Sequence, residues 1–414
     1  MKNNDVVVIG SGLSGLLTAC VAAGKGKKVT VLSYGAGTLT IGGGIVDFIG
    51  YDDNAQPVKN PLAALSEINP EHPYAKVGKA VASAAFNDFK KITENEGYAY
   101  LGDVKKNRWV PTAVGSFKPT CLVPKTMDTD ALKSAKEVLV VGVNGLKDFY
   151  AKLVAKNLQE FYGEAKKVTF VNVGLDLTNG RDISCMDVAR YLDTKEGQTE
   201  FADKLKATVK PGMVLLVPPV LGTKPDYKVL NTLEQGLSCR FVESAAVPPS
   251  VTGYRLWTMM TNYAKKLGVN IVEKAKVVSA HVENGECVYV ETEGFDRKRK
   301  YYAKSFILAN GGVYGGGLEA QIGKMVEPIF GFDIPAPADQ VQWSNKDLIS
   351  NKKQLFALMG VKVNTGLVPV DEQDMEVVKN VKVVGRSLAG YDFCFEKSGN
   401  GVAIATAYKA ALSL

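Results

Sequence analysis

Residues 10–15 read Gly-Ser-Gly-Leu-Ser-Gly and match G-x-G-x-x-G, directly after the apolar run Val6-Val7-Val8-Ile9. Such a corner binds phosphate by its shape. Gly10 makes the turn, Gly12 lets a phosphate approach the backbone, and Gly15 lets helix and strand pack closely. Leu13 and Ser14 open the helix, whose free N–H groups and partial positive charge face the anion. An acidic residue about 20 positions on normally holds an adenosine ribose. Here Ser33 stands in its place, and no Asp or Glu occurs between Asp5 and Asp47. The gap favours a mononucleotide over an adenine dinucleotide. The alternative is that Ser33 or a backbone group holds the ribose.

Groups able to act on a substrate are scarce. The chain has two histidines, His72 and His281. His281 falls in a strand-like stretch and reads as structural. His72 precedes Pro73 in a loop and is the weak candidate for a base. Arg255 in "TGYRL", Arg386 in "VGRSLAG", Lys125 and Arg108 could clamp an anionic substrate, with Arg255 the first choice. The six cysteines form no CxxC pair, which argues against a local zinc or iron–sulfur motif, so no metal ligands are assigned. Scattered cysteines suit a reducing cytoplasm.

The elements that must position these residues follow from patterning. Residues 5–9, 13–23 and 27–33 read as strand, helix and strand, a β-α-β unit rather than an export signal. No run of 18 apolar residues appears, so no membrane span is expected. Net charge is +7, from 50 basic and 43 acidic residues, and it is spread along the chain. The dense run Arg297-Lys298-Arg299-Lys300 reads as a solvated hairpin, and nothing else suggests nucleic acid. A second strand–turn–helix at 136–149 begins a middle α/β block. Its Gly142–Gly145 corner lacks the full glycine spacing and reads as structural. The expected fold is α/β: a discontinuous Rossmann-like domain of residues 1–55, 250–320 and 376–414. An α/β cap or interface domain (56–249) is inserted in it, and 321–375 form a loop-rich extension.

Two further stretches favour a flavin over a nicotinamide. "SFILANGG" (305–312) is a buried strand ending in a small-residue turn at Asn310, Gly311 and Gly312. "EKSGNGVAIATAYKAAL" (396–412) starts a helix after the corner Gly399-Asn400-Gly401. A helix end there could face a flavin's N1 and C2 carbonyl, where negative charge collects on reduction. Gly42, Gly43 and Gly385, in other glycine-rich turns, complete the candidate cofactor set. FMN is the expected cofactor, with FAD the alternative.

The chain resembles the B-subunit family of bacterial anaerobic glycerol-3-phosphate dehydrogenases, over nearly its whole length. The likeness is carried by "VVIGSGLSGLL", "EHPYAKVG", "VVGVNGLKDF", "VPPSVTGYRL", "GGGLEAQIGKMVEPIFGFD" and "GNGVAIATAYKAA". It implies a flavin subunit, usually assigned FMN. It also implies two partners: an FAD-containing catalytic A subunit that oxidises glycerol 3-phosphate, and a membrane-associated iron–sulfur C subunit that passes electrons to quinone. The implied location is cytoplasmic, peripheral on the inner membrane through the complex. The chain departs from the family at "GYDFCFEKSG" (390–399), which is bulkier and more charged than a glycine-rich turn. The shortage of bases favours an electron relay. An autonomous flavin dehydrogenase and a cofactor-free scaffold are the competing readings.

Overall fold

The computed structural model describes residues 4–177, 181–293, 298–347 and 350–414. Arg297 of the basic run lies outside the described residues. Strand β1 (Asn4–Ile9) is apolar on both faces because it runs through the centre of a parallel sheet. It pairs in parallel with β2 (Val29–Leu32) on one side and with the last strand of a three-stranded meander, Arg299–Leu308, on the other. Asn270–Val272 extends the sheet beyond β2, and Val381–Val383 pairs with the far edge of Phe306–Leu308. Five parallel strands thus come from the beginning, middle and end of the chain. The meander itself is Lys276–Glu283, Glu286–Glu293 and Arg299–Leu308, paired antiparallel.

Helix α1 (Leu13–Gly24) packs beside the closing helix Gly399–Leu412, which also lies against the helix Lys79–Asn95. Most residues of α1 and of the closing helix are buried, and both helices are largely apolar and rich in alanine and glycine. One core joins these elements to Tyr74, Val77, Ala82, Phe86, Phe89, Tyr98 and Tyr100. Residues 73–104 therefore belong largely to the first unit, although the sequence placed them in the insert. The reason is that the apolar face of Lys79–Asn95 covers the closing helix, a partner more than 300 residues away. Met325, Ile329, Phe332 and Trp343 of the loop-rich stretch join the same core.

A second core runs from Leu132 to Val251 around a parallel sheet ordered Arg240–Glu243, Val214–Val217, Glu137–Val143, Lys167–Val173. After Val143 the next helix of this unit begins only at Ala151. The Gly142–Gly145 corner therefore does not lead directly into a helix as the Gly10–Gly15 corner does. The helix Val251–Lys266 joins the units: its Val251 lies in the second core and Leu256, Met259 and Met260 lie in the first. Among the described residues, no helix is long and apolar enough to cross a membrane.

Candidate cofactor site

Gly10, Gly12 and Gly15 are glycine for different reasons. Gly10 has φ +109°, and a Cβ on it would run into the Ala309 carbonyl. A Cβ on Gly15 would run into the carbonyl of Gly10. These two close the corner against the protein itself. Gly12 differs: its φ of −70° suits any residue, and, its chain neighbours aside, a Cβ there meets no atom of the described residues within 4 Å. Gly12 is the N-cap of α1 with no side-chain cap, so the first N–H groups of the helix are left for another acceptor. The open space and the uncapped helix end together fit an anionic oxygen, such as a flavin nucleotide's phosphate.

Ser33 directly follows β2, where the ribose-binding acid would stand. Its Oγ lies 2.6 Å from Ser11 Oγ, and both hydroxyls reach the Gly35 carbonyl, at 3.2 and 2.8 Å. Ser33 is thus engaged with the corner itself. Gly37 has φ +62°, and a Cβ on it would stand 3.6 Å from Gly12 Cα, so the turn Gly37–Thr40 borders the corner. Gly42 and Gly43 follow that turn. Their carbonyls meet the start of the helix Val251–Lys266, where Thr252 Oγ1 donates to Gly43 O at 2.7 Å.

The other segments converge on the same place. Ser387 Oγ lies 2.9 Å from Asn310 Oδ1 and 3.0 Å from the Gly311 carbonyl. Gly311 turns with φ +83°, and a Cβ on Gly312 would stand 2.6 Å from the Arg386 carbonyl. Gly385 has φ +71°, and its Cβ would stand 2.6 Å from Ser14 Oγ on α1. The closing helix begins at Gly399 with no side-chain cap, since Ser398 Oγ donates instead to Glu396 Oε1 at 2.6 Å. Asn400 Nδ2 is spent on the Ile45 carbonyl at 2.8 Å, and Gly401 leaves room for the Tyr74 hydroxyl and the Asp47 carbonyl. Asn400 and Gly401 thus secure the helix.

The two catalytic candidates are corrected by the structure. Arg255 is fully buried. Its Nη1 and Nη2 donate to Glu243 at 2.7 and 2.9 Å, and its Nε donates to the Gly222 carbonyl at 2.7 Å. It ties the joining helix to the second unit and offers nothing to a substrate. His72 is 2% exposed. Its Nδ1 accepts the Tyr74 N–H at 3.0 Å, which leaves Nε2 protonated to donate to Glu396 Oε1 at 2.8 Å. Both ring nitrogens are in use, so it is no free base. His281 pairs with Glu283 at 2.7 Å on the meander and stacks on Tyr289. Arg108 is paired with Asp130 and Asp128, and Lys125 leans over the Tyr227 ring.

Aromatic residues brace Arg386, and no local pattern in the sequence marks them. Phe393 lies under Arg386, with the guanidinium carbon 4.2 Å from the ring centroid. Tyr314 meets both Phe393 and Phe356 edge-on. The bulk at 391–398 braces the turns: Tyr391 donates its hydroxyl hydrogen bond to the Gly385 carbonyl at 3.2 Å, and Asp392 caps the short helix Phe393–Glu396. Burial pushes the Tyr391 phenol well above its usual range, so it stays protonated.

A glycine corner at an uncapped helix start, with a second uncapped helix end tied to its bordering turn through Arg386, is the arrangement of a Rossmann-like flavoprotein. The chain belongs to the FAD binding domain family, whose model matches residues 5–402. It is similar to the B subunit of the anaerobic glycerol-3-phosphate dehydrogenase of Aliivibrio fischeri (strain MJ11), at 28% identity over 100% of this chain and 95% of the relative. It is similar to the corresponding protein of Vibrio cholerae (strain N16961) at 27%, covering 99% and 96%. The resemblance to the B-subunit family is therefore borne out. A solved 3-ketosteroid Δ1-dehydrogenase from Sterolibacterium denitrificans aligns over 100% of this chain and 99% of that one, at 11% identity and a TM-score of 0.46. The matching family is of FAD type, which gives no support to the expectation of FMN over FAD.

Proposed function

We propose that this chain is the flavin-carrying B subunit of an anaerobic glycerol-3-phosphate dehydrogenase. In this reading it relays electrons from a catalytic, FAD-containing subunit to an iron–sulfur subunit and on to quinone. The observation that carries the reading is the contrast between a fitted cofactor corner and unavailable bases. Gly12 opens onto free space at an uncapped helix start, whereas both histidines of the chain are engaged in pairs. A flavin, when bound, supplies a centre that takes up two electrons and gives them out singly. The chain's own residues then have three tasks. The α1 N–H groups beyond Gly12 hold the phosphate. The turns at Asn310–Gly312 and Gly385–Ser387 enclose the cofactor, and the closing helix presents its positive end to it. None of these tasks needs a proton acceptor for a substrate hydroxyl, which oxidation of a secondary alcohol would require.

The family match supports FAD as the form held. Heat release of the cofactor and comparison with standards tests this; FMN alone would refute the dinucleotide. Substrate turnover by the isolated chain would favour the autonomous dehydrogenase instead.

A further inference from the structure

We propose that Arg386 is the group that holds the negative charge a bound flavin gains on reduction, and so raises its reduction potential. This rests on the flavin reading above. The turn Gly385–Ser387 is pinned from three directions. Gly385 N–H donates to Thr406 Oγ1 of the closing helix at 3.0 Å, Ser387 Oγ sits against Asn310 and Gly311, and Gly385 packs on Ser14 of α1. Arg386 therefore leaves the backbone where all three glycine-rich segments meet.

Its side chain is equally placed. Nη1 donates to Thr38 Oγ1 at 3.1 Å, on the turn that borders Gly12. Nη2 lies 3.3 Å from where a Cβ on Gly399 would stand, at the first residue of the closing helix. Phe393 supports the guanidinium plane from one side. The group thus spans from the turn beside Gly12 to the second helix end.

No carboxylate lies within 4 Å of this guanidinium among the described residues, in contrast to Arg255, Arg108 and Arg240. Among the described residues, its five N–H donors make one side-chain hydrogen bond, that from Nη1 to Thr38. A half-buried, braced cation next to an uncapped helix N-terminus suits an anion. Two anionic parts of a flavin nucleotide could fill it: the phosphate or the reduced ring. The phosphate already has the Gly12 corner and the start of α1. The second helix end with Arg386 is left for the charge that appears only on reduction.

The test compares wild type, Arg386→Gln and Arg386→Lys. It measures oxidised-flavin affinity, midpoint potential and affinity for sulfite, which adds to the flavin ring and leaves a negative charge there. The expected result is that Arg386→Gln keeps its affinity for oxidised flavin but holds reduced flavin about tenfold less tightly. That tenfold corresponds to a potential lower by about 30 mV for a two-electron couple. Sulfite affinity falls with it, and Arg386→Lys recovers part of both. Equal weakening of both flavin forms, with the potential unchanged, would overturn the proposal in favour of a phosphate clamp. Unchanged affinity and potential would overturn it as well. Wild type that binds no flavin refutes the cofactor reading itself, and this is seen before any variant is made. Thermal midpoints of the flavin-free proteins show whether the substitution has disturbed the fold.

Discussion

Replacing Gly12 by valine separates the ligand from the fold. At Gly12, its chain neighbours aside, a new Cβ meets no atom of the described residues within 4 Å, and the backbone at φ −70°, ψ −178° is one a β-branched residue adopts without strain. The protein side of the change is the loss of glycine at an N-cap, worth up to about 1 kcal/mol. The ligand side is larger, since three carbon atoms would occupy the space left for the phosphate. We expect flavin affinity to fall at least about a hundredfold, near 3 kcal/mol at 1.4 kcal/mol per tenfold. The unfolding midpoint of the flavin-free protein should move by only about 2–4 °C. The comparison must use flavin-free protein, because bound ligand itself raises apparent stability. Gly15→Ala is the contrasting variant. Its Cβ would collide with the Gly10 carbonyl, so it should disturb the corner's packing even without flavin. The assay is flavin titration by fluorescence quenching, together with thermal unfolding of each flavin-free protein. Stoichiometric, tight flavin in Gly12→Val would refute the placement of the phosphate. A large loss of stability in that variant would refute the claim that the site is open space.

Other substitutions probe the remaining groups. Arg255→Met should cost about 3–5 kcal/mol in denaturant unfolding, because it strands the buried Glu243 carboxylate, and the double variant with Glu243→Leu should recover much of this. A stable Arg255→Met with altered substrate response would instead revive a clamp role. Ser184→Ala should cost about 1 kcal/mol, since Ser184 and Asp187 cap the helix Cys185–Leu192 reciprocally. The Ser184 backbone N–H, and then its hydroxyl, hold the Asp187 carboxyl below the usual aspartate range. Its contribution is therefore full above the unfolded-state pKa and is lost as pH falls through the lower folded-state value. Asp187→Asn should show a shallower loss of stability on acidification than wild type, and an identical acid limb would contradict this.

The parts of the site that were legible from sequence are those fixed by local backbone demands. Gly10 and Gly15 announce themselves through spacing because a turn and a helix–strand contact allow no Cβ. The closing helix is legible because most of its residues are small and apolar. What was missed lies in partnerships across the chain. Glu396 meets His72 across 324 residues, and no local pattern reports that both ring nitrogens are occupied. Arg255 looks like an anion clamp beside a glycine until the strand Arg240–Glu243 places Glu243 against it. For the helix Lys79–Asn95 the apolar face is visible in sequence, but the closing helix it covers is not, so sequence alone places it in the insert. The absent acid at position 33 was visible, but the structure adds that Ser33 is held by Ser11 and Gly35.

The relay itself is tested most directly by one anaerobic measurement on the flavin absorption of the purified chain. Glycerol 3-phosphate is added first to the chain alone, and then again after an FAD-containing catalytic subunit is supplied. With both histidines engaged and Arg255 buried, the band should persist in the first case and bleach only in the second. Rapid bleaching of the isolated chain would contradict the relay and make this chain a dehydrogenase in its own right.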